Sequence, residues 1–214
     1  MTKQEQLVKL MNSGIVAVVR RPPGDKAQRI TNALVAGGVE ALEITVDTDG
    51  AFEIIPMLKE RYGKHVLVGA GTVLNAKVAE KAIQAGADFI FSPILDEETI
   101  KITNHYGRIS IPGVMTPTEI AKGYEWGADM LKIFPGSSLG VNYIKEVSAP
   151  LTGIPMMPTG GVTLDNVAEF IRAGAAAVGL GSSLLDKAAI AEGRYGDITE
   201  LAQKFKAAIT SARG

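Results

Sequence analysis

Short runs rich in β-branched and apolar residues recur along this chain, beginning near Ile15, Ala41, Val66, Phe89, Ile109, Met130, Pro155 and Ala177. Between them apolar residues return with helical spacing, at 25–36, 51–62, 76–85, 97–105, 117–125, 143–147, 164–173 and from 185 onward. The runs predict strands and the intervening stretches predict amphipathic helices. The strand-to-strand repeat is about 20 to 26 residues, enough for a strand, a turn and a helix. Gly37-Gly38, Gly63, Gly86, Gly107, Gly127 and Gly174 stand where helix C-caps belong. No low-complexity linker or charge block divides the chain. Eight such units predict an α/β fold with a single domain over 1–214, a TIM (β/α)8 barrel with short loops. A doubly wound open sheet also alternates β and α. It is disfavoured because Gly69-Ala70-Gly71-Thr72-Val73-Leu74 begins like a dinucleotide fingerprint and lacks its third glycine.

Composition narrows the function. A chain of 214 residues buries roughly 70% of its unfolded surface. Lys+Arg number 22 against 23 Asp+Glu, so no basic surplus points to nucleic acid. The absence of cysteine excludes disulfide scaffolds, thiolate enzymes and cysteine-bound zinc. Two histidines, His65 and His105, rule out a multi-histidine metal site. The first apolar run, 15–19, ends in Arg20-Arg21 and is too short for a signal sequence or a membrane span. The expectation is a soluble, cytoplasmic protein that acts on a small molecule, with no membrane or nucleic-acid partner.

In a barrel, function sits at the C-terminal ends of the strands. The second strand reads Ala41-Leu42-Glu43-Ile44-Thr45-Val46-Asp47. Period two sends Leu42, Ile44 and Val46 toward the helices, and Glu43, Thr45 and Asp47 toward the interior. A carboxylate there is costly unless paired or at work. The sixth strand reads Met130-Leu131-Lys132-Ile133-Phe134-Pro135, with Lys132 mid-strand between apolar neighbours. Desolvation should pull that amine from about 10.4 toward neutrality, where it can attack a carbonyl and form a Schiff base. A structural Lys132–Glu43 ion pair is the competing reading.

Two glycine turns follow the seventh and eighth strands: Pro158-Thr159-Gly160-Gly161, before a helix near Thr163, and Gly179-Leu180-Gly181-Ser182-Ser183, before a helix near Leu184. Their backbone N–H groups, at helix N-termini, suit an anion, and barrels commonly hold phosphate at this position. Two tight turns without a ligand are the alternative. Arg20 and Thr72 end strands one and three and can reach the mouth, where Arg20 can clamp a phosphate or carboxylate. Arg21 reads equally well as plain surface. Ser92-Pro93 and Pro112-Gly113 shape the mouth. His65 and His105 fall at the opposite end, so a Ser-His-Asp triad is unsupported.

Five segments together resemble the 2-keto-3-deoxy-6-phosphogluconate and 4-hydroxy-2-oxoglutarate aldolases: Gly38-Val39-x-x-Leu42-Glu43-Ile44-Thr45, Gly69-Ala70-Gly71-Thr72-Val73-Leu74, Pro112-Gly113-Val114-Met115-Thr116-Pro117-Thr118-Glu119, Leu131-Lys132-Ile133-Phe134-Pro135 and Pro158-Thr159-Gly160-Gly161-Val162. The resemblance spans nearly the whole chain. It implies a trimeric TIM barrel and a class I aldolase that needs no metal or other cofactor. It implies that Lys132 forms the Schiff base, that Glu43 shuttles protons and that Thr72 helps hold the pyruvate carboxylate. Gly160, Gly161, Gly181 and Ser182 would bind the distal phosphate. Arg20, Pro93, Thr159 and Asp47 would line the substrate. The substrates implied are phosphorylated 2-keto sugar acids, cleaved to pyruvate and glyceraldehyde 3-phosphate, and 4-hydroxy-2-oxoglutarate, cleaved to pyruvate and glyoxylate.

The chain departs from the family pattern where Thr45-Val46-Asp47 replaces T-L-R, where Gly136 replaces alanine or serine, and where Ile94 follows Ser92-Pro93. The phosphogalactonate aldolases also lack that arginine, which leaves the C4 stereochemistry open. Other readings are an isomerase or epimerase on a phosphate-binding barrel, and a non-catalytic barrel that binds phospho-sugar acids.

Overall fold

The structure, a computed structural model, describes residues 1–23 and 26–214. The first apolar runs fold as β1 (Ile15–Val19), β2 (Ala41–Thr45), β3 (Leu67–Gly71), β4 (Phe89–Phe91) and β5 (Ile109–Ile111). After Pro112, which lacks an N–H for the ladder, the chain resumes as β6 (Gly113–Val114). It continues with β7 (Leu131–Ile133), β8 (Met156–Pro158) and β9 (Val178–Leu180). Every pairing is parallel. Six strands join in the order β5-β4-β3-β2-β1-β9 and three in the order β6-β7-β8. The result is an α/β fold whose larger sheet is a parallel half-barrel. A single parallel bridge, Thr159 to Gly179, joins the two sheets.

The helices follow the predicted stretches: α2 (Ala27–Ala36), α3 (Ala51–Tyr62), α4 (Ala76–Gln84), α5 (Glu97–His105), α6 (Pro117–Glu125), α7 (Gly136–Ser148), α8 (Val167–Arg172), α9 (Lys187–Glu192) and α10 (Tyr195–Ala212). The predicted start of the first of these, at Asp25, lies outside the described residues. The helix expected over 143–147 begins earlier, at Gly136, and is broken at Gly140 by a φ of 74°.

One helix was not predicted. α1 (Lys3–Ser13) precedes β1 and starts in a capping box, with Thr2 accepting from the Glu5 N–H and Glu5 accepting from the Thr2 N–H. Its Leu7 and Leu10 join an inner apolar cluster with Val16, Leu67, Phe89 and Met130, so α1 covers the N-terminal end of the sheet. The outward residues of the same strands, among them Leu42, Ile44, Val68 and Ile90, pack with the helices in a second, larger cluster. Period-two alternation therefore separates an inner from an outer core, and it leaves the C-terminal strand ends to carry polar side chains.

Candidate active site

β2 turns Glu43 to the inner face, 1% exposed, with Gly69 of β3 in register beside it. Glu43 Oε2 is buried without a hydrogen-bond partner. The space it occupies exists because β3 ends in Gly71: a Cβ there would overlap the Glu43 carboxylate. Any residue larger than glycine at 71 displaces Glu43.

Lys132 sits on β7, in register with Gly113 on one side and Met157 on the other, and is 5% exposed. Its Nζ lies 4.2 Å from the ring centroid of Phe91 and 4.6 Å from that of Phe134. Those rings keep water from the amine and offer their π faces to its charged form.

The two groups influence each other without a direct ion pair. Burial raises the Glu43 carboxyl to about 7, against the pull of the Lys132 and Arg20 charges. Burial lowers the Lys132 amine to about 8, assisted by the Arg20 charge and opposed by Glu43. Near neutral pH the pair can therefore exchange protons, which suits an amine nucleophile beside a general acid–base group.

A cavity of about 420 Å³ brings together Arg20, Thr159, Gly160, Gly161, Gly181 and Ser182, with neither Glu43 nor Lys132 in its lining. Gly160 and Gly161 have φ of 86° and 74°, so the backbone turns in the left-handed region at both. Asn166 donates to the Gly161 carbonyl at 3.0 Å and fixes this turn. The cradle is tied to the lysine strand, because the Thr159 N–H donates to the Ile133 carbonyl at 3.0 Å and the Gly136 N–H donates to the Thr159 carbonyl at 2.8 Å. A larger hollow of about 580 Å³ shares Arg20, Gly181 and Ser182 but runs outward toward Ile30 and Ile190. Neither hollow is lined by Glu43 or Lys132, and it is the smaller one whose backbone is bonded to the strand of Lys132.

Other sequence-predicted residues fall as follows. Arg20 Nη2 donates to Thr72 Oγ1 at 3.1 Å, so these two meet at the mouth. Pro93 is half-buried on the loop after β4, its backbone pressed against Gly113. Asp47 corrects the period-two expectation. β2 ends at Thr45, and two residues on Asp47 Oδ2 lies 2.7 Å from Arg21 in a surface hollow with Thr48 and Asp49, while its Oδ1 is buried without a hydrogen-bond partner. Burial pushes its carboxyl up, but Thr45 and the Arg21 and Arg20 charges outweigh this and hold it below the usual carboxylate range. Arg21, read as plain surface, is thus engaged.

The helix N-termini expected at Thr163 and Leu184 are a second correction. α8 starts at Val167 and α9 at Lys187, each only six residues long, so the cradle consists of loop backbone alone. His65 and His105 are exposed and away from the site. No cluster of His, Cys, Asp or Glu among the described residues is arranged to hold a metal ion. Sequence reasoning missed the Phe91 ring and the role of Gly71. The parallel register of β3 beside β2 was the signal for Gly71; Phe91 on β4 and Lys132 on β7 lie on strands that do not pair, so no register announced that contact.

Residues 7–201 match the family described as KDPG and KHG aldolase. The 2-dehydro-3-deoxy-6-phosphogalactonate aldolase of Escherichia coli (strain K12) is 37% identical over 171 residues, covering 79% of this chain and 83% of the relative. The 2-dehydro-3-deoxy-phosphogluconate aldolase of Treponema pallidum (strain Nichols) is 32% identical over 191 residues, covering 89% and 90%. Among solved structures, the KDPG aldolase of Legionella pneumophila, with pyruvate captured as a covalent carbinolamine intermediate, superposes with a TM-score of 0.85. It is 29% identical, covering 92% of this chain and 96% of that one.

Proposed function

Since the chain belongs to the KDPG and KHG aldolase family and is a lyase of the aldolase type, we propose that it cleaves a 2-keto-3-deoxy-6-phospho sugar acid to pyruvate and glyceraldehyde 3-phosphate through a Schiff base on Lys132. The observation that carries this is the dry amine of Lys132, lowered to about 8, next to a Glu43 carboxyl raised to about 7 with an oxygen left unpartnered. A structural ion pair would have closed that contact and satisfied the oxygen.

The neutral amine adds to the C2 carbonyl. Loss of water gives a protonated imine. Glu43 takes the C4 hydroxyl proton, the C3–C4 bond breaks, and its electrons pass into the imine to give an enamine. The aldehyde leaves, C3 regains a proton, and water releases pyruvate and frees the lysine. The loop backbone of Gly160, Gly161, Gly181 and Ser182, with Arg20, grips the phosphate far from the bond being cleaved and spends that binding energy on orientation. Thr72, Thr159 and Pro93 line the keto-acid end.

We also read the two sheets as one closed eight-stranded barrel. In support, β5 and β6 are separated only by Pro112 and Thr159 bridges to Gly179. In the same reading, residues 1–214 form one domain, three copies assemble, and the enzyme works in the cytoplasm. No helix among the described residues is long and apolar enough to cross a membrane.

A second substrate reading, the galacto-configured phospho sugar acid, is favoured by Asp47. Its carboxylate is drawn to Arg21, which leaves no cation at that position to meet the substrate. Parallel kcat/KM measurements on gluconate-, galactonate- and hydroxyglutarate-derived substrates rank the candidates, with the phosphorylated six-carbon acids ahead. Lys132→Arg should release no pyruvate from any of them. Retained cleavage in that variant contradicts the imine mechanism.

A further inference from the structure

Two non-glycine residues among those described have a clearly positive φ, Arg21 at 42° and Thr72 at 58°. Both adjoin one side chain. Arg20 immediately precedes Arg21, and its guanidinium donates to Thr72 Oγ1 at 3.1 Å. L-residues occupy this region at a cost, so neighbouring contacts must hold them there. For Arg21 those contacts come from the end of β2. Its N–H donates to Thr48 Oγ1 at 3.0 Å, and its guanidinium lies 2.7 Å from Asp47 Oδ2. Thr48 Oγ1 in turn lies 3.1 Å from Oγ1 of the fully buried Thr45, two residues along β2 from Glu43. A chain of polar contacts therefore runs from the buried core of β2 out to the strained turn that presents Arg20. Arg20 lines the glycine cradle beside Gly161 and Ser182.

Asp47 places a negative charge near a mouth suited to anions. Left free, it would weaken anion binding; paired with Arg21, it anchors the turn that carries Arg20. We propose that the Arg21–Asp47 pair is a clamp that holds Arg20 over the anion cradle, so that Arg21 is a positioning residue and Asp47 strengthens phosphate binding. The identity of the natural anion rests on the aldolase reading; the clamp does not.

Inorganic phosphate, titrated calorimetrically into the full chain, tests this. Arg21→Ala and Asp47→Ala should each weaken phosphate by about fivefold, the scale of one exposed ion pair. The double variant should be no weaker than either single one, because both changes open the same clamp. Arg21→Lys should recover most of the loss. The ratio between wild type and Arg21→Ala should shrink toward one as salt is raised. In an Arg20→Ala background, Arg21→Ala should have no further effect. Tighter phosphate binding by Asp47→Ala overturns the proposal, as does an Arg21→Ala affinity within twofold of wild type, or no measurable binding by wild type. If an alanine variant fails to fold, Arg21→Gln and Asp47→Asn carry the same comparison. A wild type that binds phosphate in this pattern but forms no borohydride-trapped pyruvate adduct refutes the aldolase reading and leaves the clamp standing.

Discussion

Two carboxylates in this sheet are almost equally buried, and their surroundings are opposite. Asp88, 2% exposed just before β4, accepts from Lys59 at 2.5 and 2.7 Å, from Gln6 at 3.2 Å and from the Val68 N–H at 2.9 Å. Glu43, 1% exposed on β2, keeps an oxygen with no partner and faces a buried lysine it does not touch. Asp88 joins α1, α3 and β3 at the N-terminal end of the strands, and Glu43 lies midway along β2. Burial alone therefore does not mark a working group. A buried charge with its bonds complete holds the fold together, and one left incomplete keeps its capacity for a proton or a substrate.

Substitutions at the two positions should separate rate from stability. Glu43→Gln keeps the shape and removes the proton carrier, so kcat should fall by about 10²- to 10⁴-fold in a pyruvate-release assay while the fold survives. Asp88→Ala strands the Val68 N–H and the Gln6 amide, and chemical denaturation should show a loss of about 2–3 kcal/mol with kcat nearly unchanged. Gly71→Ala should do both, since its methyl group overlaps Glu43. Denaturation should show a loss of about 1–3 kcal/mol, and kcat should drop alongside it.

The pH behaviour sharpens the contrast further. Lys132 must be neutral to attack, so kcat/KM should decline as pH falls through about 8 and more steeply below about 7, where Glu43 also holds its proton. Because the Glu43 charge raises the Lys132 value, Glu43→Gln should move the acid limb of the residual activity to lower pH. The linkage has a definite sign. Glu43 is raised in the fold, so its contribution to stability is present below about 4.5 and lost as pH rises through about 7. Lys132 is lowered, so its contribution is present above about 10.5 and lost as pH falls through about 8. Between 7 and 8 both weigh against folding. Lys132→Met should therefore melt a little higher than wild type at pH 7.5, the smallest effect of the set.

Much of this was legible in the amino-acid order. Apolar runs located the strands, and period two placed Glu43 and Lys132 on the inner face. The same rule misplaced Asp47 because it was extended past the point where β2 stops pairing and the backbone turns. α1 was overlooked because its polar face dominates the first residues, although Thr2, Glu5, Leu7 and Leu10 carry both a capping box and an apolar stripe. The glycine turns after β8 and β9 were found from their sequence, but the late starts of α8 and α9 were not. Those depend on loop bonds such as Thr163 to Asn166, which no short-range pattern announces. Arg21 was the least legible of all. Its role follows from a backbone angle and a partner that only the folded turn brings together.

The central claim is that one enclosed amine captures a ketone. Incubation with pyruvate and sodium borohydride, followed by digestion and peptide mass measurement, tests it most directly. The account predicts a single reduced pyruvate adduct, on Lys132, lost in Lys132→Arg and slowed in Glu43→Gln. A well-folded protein that carries no adduct, or carries it on another lysine, would contradict it.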